Sequence, residues 1–131
     1  MNMARLDDFL GLMDVTEIRE TVSVKVGDKT FDFVVRPITE QEHTEFQRRS
    51  QNINRNKVSF DSSKYTDLVL GNCIIEPDFN DDAFLTKVNC VNGVEFLKKK
   101  LPAGAIVELS SQIQRLSGFD SYEVEIDNAK N

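Results

Sequence analysis

The sequence predicts an α+β fold, an amino-terminal β-hairpin packed on a mostly helical domain of four to five helices. Three observations predict it. Apolar and polar residues alternate on both sides of a glycine-containing turn between about residues 20 and 36. The capping box Thr39-Glu-Gln-Glu42 then opens a helix. From residue 61 to residue 118 apolar residues recur at helical spacing, punctuated by aspartate, asparagine, proline and glycine.

Composition sets the bounds. The 131 residues suit one globular domain, 1–119, followed by an acidic, flexible tail, 120–131. A chain of this length buries roughly two thirds of its unfolded surface. Forty per cent apolar residues, with nine Phe, two Tyr and no Trp, suit a packed core rather than disorder. Twenty-two acids against 16 bases give a net charge of −6, which disfavours attraction to phosphate backbones or anionic lipid. Neither nucleic acid nor membrane is therefore expected as a partner, and no window approaches the ~20 apolar residues of a membrane helix. Cys73 and Cys90, with one histidine and no CxxC pair, are too few for a zinc site. The start Met-Asn-Met-Ala-Arg-Leu-Asp-Asp is unlike a signal peptide, so both cysteines are expected as reduced thiols in a cytosol. Spacing alone leaves a Cys73–Cys90 disulfide open.

Taken in order, Leu6, Phe9, Leu10 and Met13 fall at i, i+3, i+4 and i+7, the stripe of a short amphipathic helix, with Asp7 and Asp8 near its positive end. Such a stripe either docks on the core or forms an arm that docks on a partner. Val22, Val24 and Val26, then Phe31, Phe33 and Val35, alternate around Gly27-Asp28-Lys29 as a hairpin whose apolar face must pack on helices. Pro37 ends the second strand. The capped helix over residues 39–50 has Phe46 as its one large apolar residue, so it is expected to be largely solvated or to lie against a partner. Residues 51–57 read as a polar loop. The helix from residue 61 runs through Cys73, Ile74 and Ile75 to a stop before Pro77 and is expected to be the most buried. Short helices follow with Phe84, Leu85 and Val88, then over residues 94–100 with Phe96 and Leu97. The last starts near Pro102, carries Ile106, Leu109, Ile113 and Leu116, and stops at Gly118. The expected core is Leu68, Cys73, Ile75, Phe84, Leu109, Ile113 and Leu116; the tail beyond Phe119 is expected to fray.

Catalytic chemistry has no foothold in this pattern. Asp78-x-Asn80-x-Asp82 resembles the opening of a calcium loop, yet Ala83 and Asn89 stand where the turn glycine and the bidentate glutamate belong, and helix capping accounts for it. His43 sits on the polar helix without a serine, cysteine or second histidine nearby and reads as solvated. No phosphate loop or dinucleotide fingerprint occurs. The expectation is a non-enzymatic protein with no catalytic, cofactor or metal site. Arg48, Arg49, Arg55 and Lys57 form the main basic patch, but without interleaved aromatics they are a weak nucleic-acid signal. Lys98-Lys-Lys100 suits the negative end of a helix.

Four segments in this order carry a family resemblance: Phe33-Val-Val-Arg-Pro-Ile-Thr-Glu-Gln-Glu42, the run from Leu68 to Phe79 with its Glu-Pro-Asp-Phe, Leu97-Lys-Lys-Lys-Leu-Pro-Ala-Gly104, and Leu116-Ser-Gly-Phe-Asp120. Over about residues 31–120 the chain resembles the XkdN-like tail assembly chaperones of phages, prophages and phage-tail-like particles. The resemblance implies a small protein of the host bacterial cytoplasm that binds and solubilises the tape measure protein before the tail tube polymerises and is absent from the mature particle. It also implies the tail tube protein and a frameshifted longer form of this chain as further candidate partners, this chain being the short form. Self-association is left open. Leu6, Phe9, Leu10, Met13 and Phe46 are the expected partner-binding residues. A structural minor tail or completion protein, and less readily a nucleic-acid-binding regulator using the basic patch, are the alternatives.

Overall fold

The computed structural model describes residues 3–119. The acidic tail expected to fray lies outside the described residues. A short helix, α1 (Leu6–Leu10), and a 3₁₀ turn (Val15–Glu17) precede the hairpin of β1 (Glu20–Val26) and β2 (Lys29–Val35). Gly27 takes φ +65° at the first of two turn positions, the pattern of a type II′ turn whose twist suits a tight hairpin. The register sets Val22 opposite Phe33 and Val24 opposite Phe31. Val22, Val24, Phe33 and Val35 are buried, but the sheet outruns the core at its tip and leaves Phe31 exposed.

The Thr39 capping box forms as expected. The Glu42 amide donates to Thr39 Oγ1 at 3.0 Å and the Thr39 amide to Glu42 Oε1 at 3.2 Å, opening α2 (Glu40–Arg49). Residues 51–60, in part expected as a polar loop, are instead a second hairpin, β3 (Gln51–Asn54) with β4 (Lys57–Phe60), turned by Arg55 and Asn56 at φ 49° and 69°. The Asp61 amide donates to the Ser50 carbonyl at 2.7 Å and closes its base.

The next helix, α3 (Ser62–Cys73), is capped by Asp61 and buries Tyr65, Val69, Leu70 and Cys73. It ends two residues earlier than its apolar run. Ile74 and Ile75 belong to β5 (Ile74–Glu76), which pairs antiparallel with β2 and completes a sheet of order β1-β2-β5. Once the β2 edge is open, the backbone groups of Ile74–Glu76 find partners in a ladder as readily as in a helix, and β-branched side chains favour the strand. The Glu76–Pro77 bond is cis. Helices α4 (Asp82–Val88), α5 (Gly93–Lys100) and α6 (Ala103–Leu116) follow, so among the described residues five helices succeed the first hairpin. Within residues 78–82, Asp81 and Asn80 accept from amides at the starts of helices, and Asp78 accepts from the Asn80 amide in the turn before them. Asp81 accepts from the Phe84 amide at 3.0 Å, and Asn80 Oδ1 accepts from the Gly93 amide at 2.8 Å, tying α4 to α5.

One hydrophobic cluster joins the β1–β2 face to α3, α5 and α6. Cys73, Leu109 and Ile113 are fully buried as expected, whereas Leu68, Ile75, Phe84 and Leu116 are only half-buried. Phe84 instead closes a peripheral aromatic trio with Phe79 and Phe96, ring centroids 4.8–6.2 Å apart. Six residues of α6 are buried against four of α3, so α6, not α3, is the most buried helix among the described residues. Two of its buried polar residues pair within the helix, Gln114 Nε2 donating to Ser110 Oγ at 2.9 Å.

Candidate partner-binding surface

The arm before the first strand is held at one end only. The Arg5 amide donates to Asp8 Oδ2 at 2.9 Å, which sets the start of α1, and five residues are too few to stabilise a helix by propagation. Asp14 accepts from the Thr16 amide at 3.0 Å and hydroxyl at 2.8 Å, bonds that hold its carboxyl below the ordinary aspartate value. These fix the 3₁₀ turn, and Val15 and Ile18 then line a shallow cavity of about 340 Å³ with Pro37, Ile38, Leu116 and Phe119. The arm is therefore anchored at residues 15–18, and everything before it projects.

Leu6, Phe9, Leu10 and Met13 are 85%, 59%, 83% and 64% exposed, and Met3 and Leu12 are exposed beside them. Of the two readings open for this stripe, docking on the core is thus not what the structure adopts. Six large apolar side chains within eleven residues form a concentration of exposed apolar surface, which is uncommon on a globular protein. Phe46 is placed differently. It is 4% exposed, on the inner face of α2 with its ring 6.2 Å from that of Tyr65, so it belongs to the core rather than to the exposed stripe. Besides Phe46, α2 is held by the bond of Glu42 to Arg36 and by the contact of His43 with Tyr65.

His43 is not solvated but half-buried. Its Nδ1 lies 2.6 Å from the Tyr65 hydroxyl, and its ring packs 4.9 Å from that of Phe119. Neither partner is near in sequence, so no local signal marks this cluster. A second exposed apolar group, which the sequence reading missed, stands on the β3–β4 hairpin: Ile53, Val58 and Phe60 share one face by register and are 77%, 64% and 46% exposed. Ile53 before a two-residue turn, and Val58 and Phe60 alternating with polar residues after it, were the available signal. The basic residues surround this hairpin, with Arg48 ion-paired to Glu45, Arg49 closing α2, Arg55 at the turn and Lys57 beginning β4. On α5, Lys98 reaches Asp67 at 3.2 Å and Lys99 reaches Glu95 at 3.1 Å.

The two cysteines differ in burial, Cys90 being half-buried. Both are free; Cys73 is buried and its thiol is pushed up to about 12 by desolvation, against the opposing effect of the Arg36 charge. Among the described residues, no helix is long and apolar enough to cross a membrane.

The model of the phage XkdN-like tail assembly chaperone proteins matches residues 6–130, from the start of α1 past the end of α6. The match extends beyond the stretch of about 31–120 on which the sequence resemblance rests, and it takes in the projecting arm. No curated protein and no solved structure matches the chain. With the match running over nearly the whole length, the chain belongs to the phage XkdN-like tail assembly chaperone family.

Proposed function

We propose that this protein binds the tape measure protein through its amino-terminal arm and keeps it soluble until the tail tube polymerises. The observation that carries the reading is the exposed stripe of Leu6, Phe9, Leu10 and Met13 on a member of a tail assembly chaperone family. A tape measure protein is expected to be long and helical with an apolar face. Such a face is met by short amphipathic helices that lay apolar residues at i, i+3, i+4 and i+7 against it. A net charge of −6 on the chaperone keeps the complex soluble while the stripe is occupied. A contact made by an arm, rather than by the core, is released without unfolding the carrier. The action is non-enzymatic, takes place in the host bacterial cytoplasm and ends before the particle is complete.

The test is co-expression with the tape measure protein, followed by affinity capture and a solubility assay. The native chain is expected to bring the partner into the soluble fraction and to co-purify with it. The double variant Phe9→Ser, Met13→Ser is expected to lose both effects while its circular dichroism and thermal midpoint stay unchanged. Undiminished solubilisation by a correctly folded double variant would remove the arm from the contact. Recovery of this chain in purified particles would favour a retained structural component instead.

A further inference from the structure

We infer that the β3–β4 hairpin is a second binding surface, which takes an extended segment of a partner protein, apolar and acidic at alternate positions, as a third strand beside β4. The hairpin lies apart from the arm in the sequence, and the inference does not rest on what the arm binds. It is incomplete among the described residues. Two strands of four residues, all exposed, form a sheet that is marginal in water, and no described strand joins it. Ile53, Val58 and Phe60 share its apolar face.

The register defines the free edge. The two-residue turn closes on the pair Asn54–Lys57, which is therefore hydrogen-bonded, and the pairs alternate from there. Lys57 and Ser59 turn their main-chain groups toward β3, while Val58 and Phe60 turn theirs outward, where no described backbone group meets them. Outward N–H and C=O groups are a template for another strand. Strand addition draws its affinity from such groups and its specificity from alternate side chains.

Charge selects the kind of strand. Residues 48–64 hold five cations, Arg48, Arg49, Arg55, Lys57 and Lys64, against the single acid Asp61, on a chain whose net charge is −6. Arg48 is paired with Glu45, and the other four make no ion pair among the described residues. Arg49 and Lys64 also line a cleft of about 620 Å³ with Lys98 and Lys99, so positive charge continues from the hairpin onto α3 and α5. A strand of alternating character sets its apolar side chains beside Val58 and Phe60 and its carboxylates beside Lys57 on the other face. A second copy would bring the same cations to the edge and be repelled, which is how natural sheets guard an edge against self-pairing. Nucleic acid supplies no strand to complete the ladder, and the net charge disfavours it.

Amide NMR on the full chain tests the inference, with three probes at low salt: a capped octapeptide alternating glutamate and valine, its lysine–valine counterpart, and a short duplex DNA. The acidic peptide is expected to shift the Val58 and Phe60 amides and to slow their exchange about tenfold or more, with Lys57 and Ser59 changing less and the core amides of α6 unchanged. The effect is expected to weaken as salt rises. The double variant Arg55→Asn, Lys57→Gln, which keeps a turn-compatible residue at 55, is expected to bind the acidic peptide about tenfold less tightly. No response to the acidic peptide, or an equal response to the lysine peptide, would overturn the proposal. A response to the DNA alone would overturn it by making the hairpin a nucleic-acid surface. Protection of Val58 and Phe60 before any probe is added would also overturn it, assigning the edge to a second copy where protection grows with concentration and to the chain itself where it does not.

Discussion

Arg36 and Glu42 join the end of the first hairpin to the start of α2. Nη1 and Nη2 donate to Oε1 and Oε2 at 2.7 Å each, the fork geometry in which arginine binds a carboxylate most tightly. The Arg36 guanidinium, aided by the Thr39 amide and opposed by partial burial, holds the Glu42 carboxyl below the ordinary glutamate value. A carboxylate lowered by folding contributes stability that is fully present above its unfolded value and is lost as pH falls through its folded one. Glu42→Gln is therefore expected to cost about 1–2 kcal/mol at neutral pH. The gap to the native chain is expected to close on acidification, as read from urea midpoints across an acid series. A gap independent of pH would mean that the side chain acts through its neutral capping bond alone. At Gly93 the constraint is steric. A Cβ there would lie 2.6 Å from Phe79 Cβ and 3.0 Å from the Phe79 carbonyl carbon and oxygen, and backbone does not yield as a side-chain tip does. Gly93→Ala is expected to lower stability by about 1–3 kcal/mol in denaturant unfolding and to loosen the Phe79–Phe84–Phe96 trio.

Elements with local causes were legible in the sequence, and elements with distant causes were not. The first hairpin, the Thr39 capping box and the stop at Gly118 follow from residues a few positions apart, so pattern alone locates them. The strand β5 exists because β2 offers an edge some forty residues away, and the apolar run of Ile74 and Ile75 is as consistent with helix as with strand. The stripe of the arm was legible, but its exposure was not, because periodicity says which residues share a face and not what covers it. The β3–β4 hairpin escaped for a different reason. Its turn is Arg55-Asn56 rather than Asn-Gly, and both residues hold the positive φ of a type I′ turn that L side chains resist. That strain predicts a gain: Arg55→Asn is expected to stabilise the hairpin by about 0.5–1 kcal/mol. The readout is slower exchange of the Lys57 amide, which the register points at β3. An unchanged rate would show that the turn does not limit opening of the hairpin.

At the scale of the whole molecule, the distribution of apolar groups divides the described chain into a buried core and an arm whose apolar residues are exposed. Leu109 and Ile113 on α6 are fully buried, facing the β1–β2 sheet and α3, and Gln112 Nε2 fastens the same helix to the Ser23 carbonyl at 2.9 Å. Ser117 Oγ accepts from the Ile38 amide at 2.8 Å, so the carboxyl-terminal end of α6 is also tied to the segment that leads into α2. A cavity at Leu109 would be felt by every layer at once. Leu109→Ala is expected to cost about 2–5 kcal/mol, a large share of the ~5–15 kcal/mol by which a domain of this size is stable. Leu10, 83% exposed, belongs to the other class, and Leu10→Ser is expected to stay within about 0.5 kcal/mol of the native chain. Measured side by side in urea, the two leucines separate the roles: the core substitution moves the unfolding midpoint, and the arm substitution moves only partner binding. If Leu10→Ser lowered the midpoint as well, the arm would be packed against the core in solution, and the surface proposed for the tape measure protein would not be free to meet it.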